Sequence, residues 1–276
     1  MRTLVFDIET IPDVDLGRRL YNLDGLPDEE VGKAMGFHRL QETGSDFLPL
    51  HQHRVVAISV VWRHRDGLKV MSLGEPDSPE RDLVAAFFDA IERHTPDLVS
   101  WNGSGFDLPV LHYRALFHGV QAARYWEQGD NENSFRFNNY LSRFHWRHTD
   151  LMDVLSAWQG RSRASLADIA TLLGFPGKLG FSGDQVWGTW LQGGIGAIRD
   201  YCETDVMNTY LVWLRFQFMR GHLDREQLAV ELARVRRLLD ASPASHWRAF
   251  ADAWEKRAGA KDDADPGPAS PPTGRD

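Results

Sequence analysis

A strand-forming run opens the chain, Arg2-Thr3-Leu4-Val5-Phe6-Asp7-Ile8-Glu9-Thr10, and it carries two carboxylates. Side chains alternate across a strand, so Asp7 and Glu9 share one face while Phe6 and Ile8 occupy the other. The apolar face commits the strand to a core and leaves both acids half-buried. Two residues of rise separate them by roughly 6.6 Å along the backbone. Their oxygens can therefore converge on a pair of cations about 3.5–4 Å apart. Neighbouring half-buried carboxylates repel unless one is protonated or a cation binds. Taken alone, Asp-x-Glu is also explained by a strand that runs into an exposed acidic loop, and the rest of the chain has to decide between the two.

After Thr10, Ile11-Pro12 breaks the strand, and residues 13–52 read as an insertion lying over its end, with Pro27 near the start of a short helix. Arg54–Trp62 is rich in β-branched residues and predicts a second strand. The polar break through Asp66-Gly67 turns into Leu68–Leu73 as an antiparallel partner, which completes a three-stranded meander. Ser78-Pro79 opens a helix, with Ser78 as its cap, whose Leu83, Val84, Phe87, Phe88 and Ile91 follow helical spacing. Leu98–Trp101 is a short buried strand, parallel to the first because a helix intervenes. The turn Asn102-Gly103-Ser104-Gly105 then leads into a helix at Phe106-Asp107.

Gln121–Arg147 is polar, aromatic and Arg-rich. Thr149–Leu155 reads as a strand end entering a helix, Ser165–Gly174 as a short helix stopped by glycine, and Ile195–Met219 as a long helix. Helices at Arg225–Leu239 and His246–Trp254 complete a single α/β domain over residues 1–257 with a central mixed sheet. From Ala258 the tail has almost nothing to bury and reads as disordered. No internal repeat is found.

Composition narrows the function classes. The formal net charge of −8 excludes a wholly basic surface, so nucleic acid would have to be held in a local cleft or through bridging metal ions. The single cysteine, Cys202, excludes intrachain disulfides and thiolate zinc clusters and fits a reducing compartment. No apolar stretch has membrane length, and acids stand where a secretory signal would be apolar, so a soluble, cytoplasmic protein is expected.

Two further elements join the first pair of acids. Asp107 follows a parallel strand at the carboxyl-end edge of the sheet, where open α/β sheets place ligands; alone it is better explained as a helix N-cap. Tyr201 and Asp205 lie one turn apart on one face of the long helix, beside Ile198, Val206 and Tyr210. A carboxylate among such residues is unusual as core filling, although a structural Tyr–Asp hydrogen bond would also account for the pair.

In this order the motifs resemble those of the DEDD superfamily of 3′–5′ exonucleases in its tyrosine form. Asp7-Ile8-Glu9-Thr10 resembles the first motif of the proofreading domain of family B DNA polymerases, Asn102–Asp107 the second and Tyr201–Asp205 the third. Ser165–Gly174 is similar to the Ser-Leu-Ala helix that such nucleases carry before the third motif. Segments similar to Pro176-Gly177-Lys178 and Val186-Trp187 recur in stand-alone bacterial members. The resemblance, spanning about residues 1–213, implies a ribonuclease H-like fold and removal of nucleoside 5′-monophosphates from single-stranded 3′ ends, DNA rather than RNA. It implies that Asp7, Glu9, Asp107 and Asp205 hold two Mg²⁺ or Mn²⁺ ions and that Tyr201 orients the attacking water. It also implies substrate contacts by Thr10, Ile11, Asn102 and Phe106.

Other readings stay open beside it: an idle binding module of the same fold, an exonuclease that trims RNA or short oligonucleotides, and an endonuclease. The Gln121–Arg147 stretch suits single-stranded binding, or is a solvated loop with its rings turned inward. Lys178 is either a phosphate contact or an exposed lysine. Asp150 and Asp153 are helix-start residues, with Asp150 also a candidate to support the metal ligands. The histidines show no metal-binding spacing and receive no role. A polymerase or repair partner is not named by any residue.

Overall fold

The computed structural model describes residues 2–65 and 67–262. Asp66 of the expected turn and the tail beyond residue 262 lie outside the described residues. The first strand, β1 (Thr3–Pro12), pairs antiparallel with β2 (His53–His64), which pairs antiparallel with β3 (Gly67–Ser72). Between β1 and β2 come α1 (Val14–Tyr21) and α2 (Asp28–Thr43). After the meander, α3 (Glu80–His94) crosses to β4 (Asp97–Ser100), which is parallel to β1. Next, α4 (Asp107–His118), α5 (Ala123–Trp126) and α6 (Ser134–Phe137) lead to β5 (His148–Asp150), parallel to β4. The sheet runs β3-β2-β1-β4-β5. It is a mixed, helix-flanked sheet, with the expected antiparallel meander continued by parallel strands.

The chain then becomes helical: α7 (Leu151–Leu155), α8 (Leu166–Leu172), α9 (Val186–Leu191), α10 (Ile195–Met219), α11 (Arg225–Ala241) and α12 (Ser245–Asp262). No described helix is long and apolar enough to cross a membrane.

The alternation read in β1 sorts the two faces of the sheet. Leu4, Phe6 and Ile8 pack with Phe87, Ile91 and Leu111 of α3 and α4, with Phe6 and Phe87 rings 5.0 Å apart. Val5 points to the other face and packs with Val206, Tyr210 and Leu211 of α10. Asp7 and Glu9 follow Val5 onto the α10 side. That helix is buried almost all round between Val206 and Gln217, because it is wedged between the sheet and α8, α11 and α12.

Four local expectations are corrected. The first strand does not break at Ile11-Pro12; it continues to Pro12 through a bulge between Glu9 and Thr10. Pro12 is tolerated because β4 pairs only with Thr3–Val5, so the far end of β1 has a partner on one side alone. Pro79, rather than Ser78, occupies the cap position of α3, while the Ser78 hydroxyl accepts the Glu75 N–H at 2.8 Å. The helix after Pro27 is not short, since α2 runs to Thr43. And α12 continues to Asp262, past the Ala258 boundary drawn for the tail.

Two buried ion networks tie distant segments together. Arg114 of α4 bonds Asp13 at 2.6 Å and grips Glu80 at 2.7 and 2.5 Å, while Glu80 also accepts the Val55 N–H at 2.7 Å. Asp13 caps α1 through the Leu16 N–H as well. Arg63 of β2 forks onto Glu231 of α11 at 2.8 and 2.6 Å, and the Tyr210 hydroxyl reaches the same carboxylate at 3.1 Å.

Candidate active site

Three elements meet at the carboxyl end of β1. The strand itself supplies Asp7 and Glu9. The tight turn after β4 delivers Asp107 at the first residue of α4. Residues 201–205 of α10 lie across the sheet face and bring Tyr201, Cys202 and Asp205. The turn is held from β5. Asp150 accepts the N–H groups of Asn102 at 2.9 Å and Ser104 at 2.8 Å, and it caps α7 through Met152 and Asp153. Asn102 sits at φ +62°, a conformation that asparagine tolerates better than most residues. Gly103 is required because a Cβ there would lie 2.2 Å from the Ser100 hydroxyl. Asp107 is then pinned to β1 by accepting the Ile8 N–H at 3.2 Å. It therefore does more than begin a helix: it welds the second motif to the first.

The carboxylates are close enough to disturb one another. Glu9 and Asp107 are buried, and Asp7 keeps partial exposure. Burial holds the Asp7 carboxyl well above the usual range, and the charges of Asp107, Glu9 and Asp205 push it further. Glu9 is raised well above its ordinary value by burial, then by Asp205 and Asp107. Asp107 rises to about 7, chiefly by burial, against the hydrogen bond from Ile8. Asp205 rises to about 6, again by burial, tempered by a hydrogen bond from Tyr201 and the charge of Lys178. Burial with Asp205 alongside raises the Tyr201 phenol strongly, so it stays protonated and acts as a donor. Its ring lies 4.8 Å from that of Phe181.

Donor chemistry tests the implied cations. Ligand atoms of Asp7, Glu9 and Cys202 lie within 4.8 Å of one another. Burial keeps the Cys202 thiol neutral, and Sγ approaches the Asp7 carbonyl at 3.4 Å and its carboxylate at 3.6 Å as a weak donor. What remains for a cation is a set of carboxylate oxygens whose repulsion a positive charge would relieve. That set fits hard divalent ions such as Mg²⁺ or Mn²⁺ and does not fit a thiolate zinc site.

The substrate-contact candidates divide. Phe106 is half-buried at the rim, its ring 5.2 Å from His53 and 5.8 Å from Phe47. Thr10 bonds His53 Nδ1 at 2.9 Å. Because His53 Nε2 faces the Leu48 carbonyl at 3.2 Å, that nitrogen carries the proton and Nδ1 accepts from the Thr10 hydroxyl. Asn102 is committed through its N–H to Asp150. Ile11 is buried among Val56, Val186, Ile198 and Cys202, so its side chain is part of the core. Sequence reasoning gave no role to His53 or Cys202. Cys202 had a usable signal, since it lies inside the third motif; His53 had none, being placed by the fold of residues 13–52.

Residues 45–254 match the model of a family described as a predicted 3′–5′ exonuclease related to the exonuclease domain of PolB. The matched span includes Asp107, Tyr201 and Asp205 and begins after the strand that bears Asp7 and Glu9. No curated protein is matched. Among solved structures, the family B DNA polymerase from the hyperthermophilic archaeon Pyrobaculum calidifontis is similar over 79% of this chain and 24% of its own, with 20% identity and a TM-score of 0.49. The chain thus spans about a quarter of that polymerase.

Proposed function

The chain belongs to the family of predicted 3′–5′ exonucleases related to the PolB exonuclease domain, and from that premise we propose that it removes nucleoside 5′-monophosphates from single-stranded 3′ ends with the help of two divalent cations. The observation that carries this reading is the convergence of four carboxylates from β1, α4 and α10, each raised above its ordinary pKa, with Tyr201 donating to one of them. Asp7, Glu9, Asp107 and Asp205 would hold Mg²⁺ or Mn²⁺. Bound there, the cations would lower the pKa of a water and stabilise the attacking and leaving oxygens of an in-line displacement.

The protein's own groups do the positioning. Asp107, fixed to the Ile8 N–H, keeps the second motif in register with the first. Tyr201 remains a phenol at neutral pH, so it orients a water by hydrogen bond and does not serve as its base. Phe106 and Phe47 offer rings at the rim on which a terminal base can stack. DNA is the preferred substrate in this reading, on the likeness of all three motifs to the proofreading domain of family B polymerases.

The test is digestion of 5′-labelled single-stranded DNA and RNA oligomers with Mn²⁺. The wild type should give a ladder shortening from the 3′ end, with DNA the faster substrate, and Asp205→Ala should give none. Tyr201→Phe should lower kcat roughly 10- to 100-fold, at or below the usual range for a positioned proton-transfer group. Equal cleavage by wild type and Asp205→Ala, or no cleavage of either polymer, would overturn the reading.

A further inference from the structure

A cavity of about 640 Å³ opens beside the carboxylate site, on the far side of the turn that carries Asp107. Ser104 and Asp150 line it, and they are the groups that hold that turn. Its walls are aromatic: Trp126, Phe144, Trp146 and Trp158 all line it, and each is exposed. Four large exposed rings around one hollow are out of proportion to what a soluble surface leaves uncovered without use.

Two features show that the hollow is built. Ala157 and Trp158 both hold left-handed backbone, at φ +51° and +58°. Residues with a Cβ rarely hold this conformation, and the Trp158 ring lies at the cavity wall. Strain of this kind collects at ligand clamps. His112 is the second feature. It lines the cavity with its ring 4.9 Å from Trp126, and its buried Nε2 has no hydrogen-bond partner. Burial keeps this imidazole neutral, so its unpartnered Nε2 can donate to or accept from a flat polar edge according to the tautomer.

Charge completes the pattern. Arg143 lines the cavity with its guanidinium 5.0 Å from the Phe144 ring centre and forms no ion pair among the described residues. Arg163 is also at the wall, paired with Asp153 at 2.6 Å. Stacking rings, one orphaned hydrogen-bonding group and an unpaired guanidinium match a base, its polar edge and a phosphate.

We propose that this cavity is a nucleotide-binding subsite distinct from the carboxylate cluster, taking one unpaired nucleotide with its base among the tryptophans and its phosphate on Arg143. The nucleotide is either part of the strand being shortened or a free mononucleotide. The strand form rests on the exonuclease reading, which the cavity deepens by giving the enzyme a hold on single-stranded substrate away from the scissile bond.

Binding and cleavage separate the two ideas. Binding of a fluorescent (dA)12 is measured by anisotropy in EDTA, with dAMP as competitor, for wild type, Trp158→Gly and Arg143→Ala. Glycine is at ease at φ +58°, so Trp158→Gly removes the ring and relieves strain; an unchanged melting temperature checks the fold. Each variant should raise Kd about ten-fold, the usual scale for one stacked base or phosphate contact, while cleavage of the p-nitrophenyl ester of thymidine 5′-monophosphate in Mn²⁺ stays at the wild-type rate. Competition by dAMP that vanishes in the variants assigns the cavity to free nucleotide as well; a ten-fold loss without competition assigns it to the strand. Unchanged Kd in both variants with no effect of dAMP overturns the proposal. Variant-sensitive binding by a protein that cleaves nothing in Mn²⁺ would sink the exonuclease reading and leave the subsite standing.

Discussion

Replacing Asp107 with asparagine should make the metal-free protein more stable, and increasingly so as pH rises. The Asp107 carboxyl is raised from 3.8 to about 7 by burial. A carboxyl raised in the folded state subtracts stability as pH climbs from the unfolded value through the folded one. Between pH 5 and pH 8 that cost grows by about 3 kcal/mol. The wild-type profile alone hides it. Burial lowers His112 and His148 from 6.5 to about 4, so both are neutral in the fold and protonated in the unfolded chain below pH 6.5. Each costs about 2 kcal/mol at pH 5 and almost nothing at pH 8, which offsets the carboxylate trend. The difference between wild type and variant cancels the histidines. In Asp107→Asn the side-chain amide also retains an oxygen for the Ile8 N–H, so the strand contact survives. Urea unfolding in a chelator should show a gain at pH 8 exceeding the gain at pH 5 by about 3 kcal/mol, or about 1 M in midpoint for a slope near 3 kcal/mol/M. Millimolar Mn²⁺ should then stabilise the wild type far more than the variant. A gain independent of pH, or a loss at both, would refute the electrostatic account of the site.

Arg114→Met should cost about 3–5 kcal/mol in the same assay, because buried Asp13 would lose its cation and buried Glu80 would keep only the Val55 N–H and His118 Nε2; a cost under about 1 kcal/mol would mean the network is dispensable. Gly103→Ala should destabilise by about 1–3 kcal/mol and slow cleavage, since its Cβ meets Ser100, whose hydroxyl is held by His148 at 2.9 Å. Adding Ser100→Gly should restore much of both, and failure to do so would locate the damage elsewhere.

What could be read from the sequence follows from how strongly each segment is patterned. α3 declares itself because its apolar residues repeat with the helical period and face one layer, whereas the meander and α10 do so through long apolar runs that burial on both sheet faces and all round the helix demands. The second motif was legible as a strand, turn and helix for the same reason. By contrast, α2 buries only Val31, Gly32 and Met35 along sixteen residues and leaves Phe37 and Leu40 exposed, so its periodicity is weak. The extension of β1 through Pro12 was hidden because proline argues against a strand unless the missing neighbour is known. Cys202 and His53 differ in legibility: the thiol stands inside the third motif, whereas the histidine depends on a loop that brings Leu48 and Thr10 to the same ring. The aromatic stretch proved to be divided, with Tyr125, Phe135 and Tyr140 in the core and Trp126, Phe137, Phe144 and Trp146 outside.

The docking of α10 across β1 has a consequence for the chain as it is made. Asp7 and Glu9 emerge first, Asp107 follows, and Asp205 comes from a helix that ends at Met219 and fits only into a finished sheet. Contacts of such long sequence separation form late, after the loop-closure entropy of the whole intervening chain has been overcome. A nascent or truncated chain therefore holds an incomplete set of carboxylates, however well its first half has folded. Synthesis order acts as a safety catch: the four carboxylates meet only once α10 has docked across β1.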